Sequence, residues 1–509
     1  MRFRTLTNLF LSAALVLCSV GCAPSDPAAS SSQPAPSVSA DTSDVQEPPL
    51  PFTLPFYPNY SLHPSLTQSR SNIALAPLLY EGLFALDETF SPVPVLCQSY
   101  NVSPDGLTWT FQLRQGVTFS DGTPLTGQLA AQSLNLSLGA GSRYAGRIPA
   151  LRSITGQDAT LTIQLNAPYA SLPTLLDIPI TKSGDARPLG TGPYVLTTLE
   201  GEYALTRRSN WWQSTALPFE CIQLFSIQQA DDLIAAFDAG DVTMLDADPT
   251  ATNSLGYSGS YQVWDYNTTN FIYLGFNTVK GYCQDPLVRQ ALSRGIDRTS
   301  ITTIPYARHA VAASLPVHPD SALYDETLAA QGGYAPNLLV AFLENNAPPS
   351  SPLTLLVNSE NSAKVAAAQY IAYQLEAAGL RITVKKLPWE SFLAALSEGS
   401  FDLYLGEVLL TADFDLTALL SSTGSLNYSR WQDWQTNVML AAMRTAAPEN
   451  RAASAQTLYQ HLIQQAPIAP ICFKYGCALT QWGRLSGLQP APNNIFADME
   501  QWILDPEDP

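Results

Sequence analysis

SPDGLTWTFQLRQGVTFSDGTPLT, residues 103–126, alternates apolar and polar side chains on both sides of Gln115-Gly116. Trp109, Phe111 and Leu113 fall on one face, Thr108, Thr110 and Gln112 on the other, and Val117 and Phe119 resume the alternation. A period of two is the signature of half-buried strands, so the stretch predicts a hairpin closing at Gln115-Gly116. Pro104-Asp105-Gly106 and Asp121-Gly122 add turn chemistry at its two ends, because aspartate bonds local backbone and glycine accepts positive φ. Such a hairpin is scaffold, and function has to be sought around it.

Outward from this point the N-terminal half reads as strand-rich. IALAPLLYEGLFALDE, from Ile73, is a short helix running into a strand, LTIQLNAP (161–168) is a further alternating strand, and 189–212 holds two more joined at Glu200-Gly201. The C-terminal half alternates helix and strand. In DPLVRQALSRGI, Asp285 is placed to cap a helix whose first turn holds Pro286, with Val288, Ala291 and Leu292 on one side. SAKVAAAQYIAYQLEAAG carries Ala368, Ile371, Ala372 and Leu375 on one stripe and stops at Gly379. RITVKKL, WESFLAALSEG and FDLYLGEV then follow as strand, helix and buried strand, an α/β layer. No internal repeat is visible.

The chain has 509 residues, which favours two or three domains, and 46% of them are hydrophobic, enough to fill the cores. Lys and Arg number 25 against 43 Asp and Glu, a net charge of −18. A field of that sign repels nucleic acid and anionic membranes. The N-terminus has Arg2 and Arg4, an apolar run over 9–17, and small residues up to Gly21-Cys22, the layout of a signal peptide. Residues 1–22 are read as a lipoprotein signal with Cys22 as the lipidated residue. Ser19 departs from the usual leucine, and ordinary secretion with an unused thiol is the alternative. Residues 23–50 are Pro, Ser and Ala with scattered acids and no aromatic residue, a composition expected of a disordered tether. Of the later cysteines, 97, 221, 283, 472 and 477, Cys472 and Cys477 in CFKYGC are expected either to pair across a tight turn or to stay as buried thiols. Without a C-x-x-C or clustered histidines, no metal site is expected, and no cofactor.

Taken in order, four blocks resemble the family 5 extracellular solute-binding proteins, the oligopeptide, dipeptide and nickel-binding components of ABC importers. They are YEGLFALDETFSPVPVLCQSYNVSPDGLTWTFQLRQGVTFSDGTPLT, LGTGPYVL, FIYLGFNT and DPLVRQALSRGIDR, and the likeness extends from about residue 60 to 475. The resemblance implies an α/β, two-lobed periplasmic-binding-protein-like fold (type II, cluster C) with an extra β-rich subdomain on the first lobe. It assigns 51–88, 188–275 and 479–509 to lobe I, 89–187 to the subdomain and 276–478 to lobe II. FIYLGFN and CFKYGCAL would cross between the lobes, and closure about them would enclose a ligand.

In peptide-binding members of this family an aspartate grips the ligand's terminal amine, and Asp413 in LLTADFDLTALL stands at the matching position, with Asp415 two residues on. A buried ammonium needs such a partner. The alternative for Asp413 is a loop or helix-capping carboxylate. Trp389 and Tyr144 match family aromatics that flank the peptide, although Trp389 could equally anchor a core. Leu410 and Thr411 stand where peptide binders usually have tryptophan and cysteine, which alters the pocket. Arg308, His309 and Arg430 are the cations considered for a ligand carboxylate. The four histidines, 63, 309, 318 and 461, are scattered in sequence.

No G-x-S-x-G, H-E-x-x-H or Walker sequence occurs, and GTGP lacks the P-loop lysine, so no enzyme is expected. The expected role is an extracytoplasmic, lipid-anchored, monomeric protein that captures short peptides and delivers them to the transmembrane subunits of an ABC permease. The alternatives are a nickel chelate or other small solute in the same fold, or a surface peptide sensor.

Overall fold

The strand Thr108–Leu113 buries Trp109, Phe111 and Leu113, the face that its alternation marks. In the computed structural model, which describes residues 51–252 and 256–504, its partners are not those the hairpin reading expects. It pairs antiparallel with Cys97–Val102 on one side and with Thr160–Leu165 on the other, and Leu151–Gln157 completes a four-stranded sheet. The tight connection is Ser103–Gly106, where the Asp105 carboxylate accepts from Leu107 N at 3.0 Å and Gly106 has φ +70°. At Gly116 the chain turns away from the sheet. Residues 117–119 instead fold back on 123–125 around Asp121-Gly122, with Phe119 N to Thr123 O at 2.8 Å and Leu125 N to Val117 O at 2.9 Å. Val117 and Phe119 are buried in the same core, so their alternation reports burial without reporting a strand partner.

A second four-stranded sheet runs Thr53–Phe56, Cys221–Ser226, Glu202–Arg207, Tyr194–Leu199. The last two form the expected hairpin, with φ of 53° and 95° at Glu200 and Gly201. The buried guanidinium of Arg208 donates to the carbonyls of Gly192, Thr118 and Phe119, and so pins the accessory sheet to this one.

The third sheet has seven strands. Met244–Ala247, Ile468–Gln481, Tyr261–Phe276, Leu403–Leu409, Leu353–Asn358 and Ile382–Leu387 lie side by side, and Ala310–Ala312 also pairs with Ile468–Gln481. Leu353–Asn358 is parallel to both its neighbours, and the helices Ser362–Ala377 and Trp389–Glu398 make the connections. Asp285 caps the helix Pro286–Arg294 as expected, accepting from Leu287 N at 2.8 Å. Alternation in Tyr261–Phe276 feeds two cores: Phe271 and Tyr273 pack on one face, Ile272, Leu274 and Phe276 on the other.

Tyr261–Phe276 and Ile468–Gln481 are long because they serve both lobes. The end of Ile468–Gln481 pairs with Met244–Ala247 on one side and with the beginning of Tyr261–Phe276 on the other, and the remaining halves run on beside Ala310–Ala312 and Leu403–Leu409. Three tyrosines on this sheet face glycines directly across a strand boundary: Tyr266 with Gly476, Tyr273 with Gly406 and Tyr404 with Gly275. Each ring occupies the space a Cβ would need, with ring atoms 2.1–2.4 Å from where that carbon would sit.

All five cysteines from Cys97 onward are free. Cys472 and Cys477 lie on one continuous strand rather than across a turn, so five residues of extended chain hold them roughly 16 Å apart. Among the described residues no helix is long and apolar enough to cross a membrane. Residues 1–50, including Cys22 and the proposed tether, lie outside the described residues.

Candidate functional site

Between the lobes lies a cleft of about 1250 Å³. Its floor is the stretch where the two long strands lose regular pairing. The register of Tyr261–Phe276 against Ile468–Gln481 shifts between Asn267 and Phe271, and residues 267–270, together with 474–476, line the cleft. Irregularities of this kind re-aim side chains at functional sites. Here Thr268 and Thr269 bond the carbonyls of Lys474 and Leu410 at 2.6 Å each, replacing the lost ladder bonds.

Charged groups on the walls are held in pairs. Arg70 reaches Asp246 with Nε to Oδ2 at 2.8 Å, and Tyr266 donates to the same carboxylate at 2.7 Å. Burial raises the Asp246 carboxyl above its ordinary value, and Arg70 opposes this. The buried Lys474 ammonium sits 3.1 Å from Asp248 and 3.2 Å from Glu407, and donates to Thr250 O at 3.3 Å. Lys364 approaches the other Glu407 oxygen at 3.7 Å, and burial lowers its ammonium despite Glu407. Asp248 follows the strand Met244–Ala247 and Glu407 lies on Leu403–Leu409, so Lys474 ties these two segments together at the crossing. On the opposite wall Glu81 accepts from the indoles of Trp211 and Trp212 and from Gln213 at 2.9–3.3 Å. Burial raises its carboxyl, and these donors pull it back.

The expected site residues are dispersed. Tyr144 lines the cleft, its ring between the guanidinium groups of Arg143 and Arg147 at 5.5 and 5.3 Å. The segment 409–412 also reaches the lining, but Asp413 lies just beneath it, 4% exposed. Its carboxylate accepts from Tyr169 at 2.5 Å and Thr411 at 2.6 Å, with Arg451 at 3.7 Å. Asp415 accepts from the backbone and hydroxyl of Thr417 at the start of a short helix, and burial raises its carboxyl. Trp389, 48% exposed, opens the helix Trp389–Glu398, with its backbone N–H on Glu360. Arg430 donates to Ser397 O at 2.7 Å, and Arg308 is exposed at φ +72°. Trp389, Arg308 and Arg430 are outside the lining of this cleft.

Sequence reasoning missed Arg70, Glu81, Asp246, Asp248 and Lys474. The one available signal was the tandem Trp211-Trp212, since two adjacent indoles ask for acceptors when buried. The partner, Glu81, is 130 residues away.

The family model of bacterial extracellular solute-binding proteins, family 5 (middle), matches residues 91–429, more than half of the chain. The chain belongs to this family. The chain is similar to the glutathione-binding protein GsiB of Escherichia coli K12, 24% identical over 432 residues, covering 78% of this chain and 84% of GsiB. The periplasmic murein peptide-binding protein MppA of the same organism is 27% identical over 471 residues, covering 81% and 85%. Among solved structures, the ABC transporter substrate binding protein CtaP of Listeria monocytogenes superposes with a TM-score of 0.73 at 18% identity, covering 90% of this chain and all of CtaP. The two-lobed α/β fold with its accessory β-sheet is thus that of the family, whose members are extracytoplasmic solute-binding proteins rather than enzymes.

Proposed function

We propose that this protein captures short peptides in the interlobe cleft and hands them to the membrane subunits of an ABC importer, while Cys22 carries a lipid anchor on the extracytoplasmic face. The proposed division is lobe I over 51–88, 188–275 and 479–509, the subdomain over 89–187 and lobe II over 276–478, acting as a monomer. The observation that carries the reading is the cleft itself. At about 1250 Å³ it exceeds the roughly 300–1,000 Å³ usual for drug-sized ligands. The glutathione and murein-peptide names of two relatives support the same ligand class.

Cleft charge narrows the ligand. Arg70, Arg147 and Lys474 are each already paired with a carboxylate and Arg143 stacks on Tyr144, while Asp87, Glu88, Asp498 and Glu500 add negative charge that outweighs it in the lining. That balance favours a peptide with a free ammonium, neutral or cationic overall. Asp413 is the proposed acceptor of this ammonium. In the structure Tyr169 holds its carboxylate, so ligand entry would exchange the phenol hydroxyl for the ligand's amine.

Calorimetry with free and N-acetylated peptides tests the reading. Micromolar binding, roughly −8 kcal/mol, with a loss of more than about 2 kcal/mol on acetylation, supports it. Equal affinity for blocked peptides removes Asp413 from the role. Binding of a nickel chelate in preference to any peptide replaces the ligand class.

A further inference from the structure

Beside the cleft floor, Asp265, His309 and Cys477 bring one carboxylate oxygen, one imidazole nitrogen and one thiol sulfur within 4.8 Å of one another. Asp265 and Cys477 are directly opposed on the two long strands, so their side chains leave the sheet on one face. Their strand neighbours Tyr266 and Gly476 line the cleft, as do Asn267 and Tyr475, so the trio adjoins the cleft while none of its three residues is part of the lining. His309 immediately precedes Ala310–Ala312, the short strand on the far edge of Ile468–Gln481, and its carbonyl accepts from Tyr475 N at 3.0 Å. Three adjacent strands therefore fix the three donors through backbone bonds that do not depend on a ligand.

We infer that Asp265, His309 and Cys477 form a site for a late first-row divalent cation, of the Zn²⁺ type. One oxygen, one nitrogen and one sulfur donor make a mixed borderline set suited to Zn²⁺ and poorly suited to Mg²⁺ or Ca²⁺. The Asp265 Oδ1 to His309 Nδ1 separation of 3.1 Å is close to the spacing of two ligands on one tetrahedral ion. Among the described residues, His309 is the one side chain bonded to the Asp265 carboxylate, and the Cys477 thiol makes only a long contact, 3.6 Å, to Ala247 O. Asp265 is exposed, which gives an entry path and leaves the fourth position to water. On binding, the S–H bond breaks, its proton leaves to solvent and a metal–sulfur bond forms, with no change of oxidation state. A bound ion joins both crossing strands to the segment before Ala310, so it stiffens the crossing without touching the ligand.

The test uses the full chain, stripped with chelator and titrated with Zn²⁺ and, as a spectroscopic probe, Co²⁺. One equivalent of Zn²⁺ and a Co²⁺–thiolate charge-transfer band are expected, with at least a tenfold loss of affinity in Asp265→Asn and His309→Gln and loss of the band in Cys477→Ser. Cys477 is buried, so should that variant not fold, the other two, at accessible positions, decide the matter. Zn²⁺ bound equally well by His309→Gln and Asp265→Asn, no stoichiometric Zn²⁺, or a Co²⁺ spectrum without the thiolate band would each overturn the assignment. Peptide affinity is measured in parallel, so failure of the metal site and failure of the peptide reading register separately.

Discussion

Where the strands cross between lobes, the contact is made by charges: Lys474 between Asp248 and Glu407, with Lys364 close by. Where loops beside the accessory β-sheet touch the C-terminal half, it is made by rings and single hydrogen bonds. Phe90 lies 5.0 Å from His318 and 5.2 Å from Phe414, Tyr169 donates to Asp413, and Ala170 N donates to Arg444 O at 2.8 Å. The first contact sits on long strands that run through it, Tyr261–Phe276 and Ile468–Gln481. The second joins separate loops. A buried ion cluster contributes little net stability but is costly to break, which suits a permanent joint. Aromatic faces and one shared carboxylate separate at modest cost, which suits a latch.

Removing the charge at the joint should have the largest effect. Lys474→Met leaves Asp248 and Glu407 without their shared cation and is expected to cost about 3–5 kcal/mol of global stability in urea unfolding. If Lys474→Met unfolds like the parent, the joint is not held by this cluster.

At the latch, pH is the next lever. Burial pushes the His318 imidazole down to about 4, with Asp320 pulling slightly the other way. Its Nδ1 accepts from Asp320 N, so the ring is neutral when folded. The folded value lies below the unfolded one, near 6.5, so the unfolded chain binds the extra proton. This contribution is present above about pH 6.5 and is lost as pH falls towards 4, amounting to about 3 kcal/mol. In His318→Asn, whose amide oxygen can replace Nδ1, the slope of stability over that window should flatten.

Binding effects come next. Asp413→Asn should weaken capture of unblocked peptides by more than about 2 kcal/mol while leaving acetylated peptides unaffected. Smallest, and opposite in sign, is Tyr169→Phe. It frees the Asp413 carboxylate, and peptide affinity should rise by roughly fivefold, about 1 kcal/mol. A fall in affinity would mean that Tyr169 serves the ligand directly, and small-angle scattering of the free protein would report whether the lobes part further.

Elements were more legible than their neighbours. Alternation marked the buried face of Thr108–Leu113, and Asp285-Pro286 marked a helix start, because both are local properties of the chain. The partner of Thr108–Leu113 was misjudged because strand pairing is tertiary: Val117 and Phe119 share its pattern yet fill the core from a separate turn. Of the two readings of CFKYGC, a disulfide across a tight turn or buried thiols, the second holds, because the segment is extended strand, with Gly476 under the ring of Tyr266. The family blocks pointed to the cleft, whereas its charges could not be read. Arg70 and Asp246, or Asp248 and Lys474, lie 176 and 226 residues apart and meet only after folding.

The tyrosine over Gly476 sits where the long strands cross, and those over Gly275 and Gly406 sit further along the same sheet. Interdigitated branched side chains would mesh like gear teeth and resist shear between neighbouring strands. A ring over bare backbone instead lets ring and strand close up directly. A side chain added at any of these three glycines would therefore wedge ring and backbone apart.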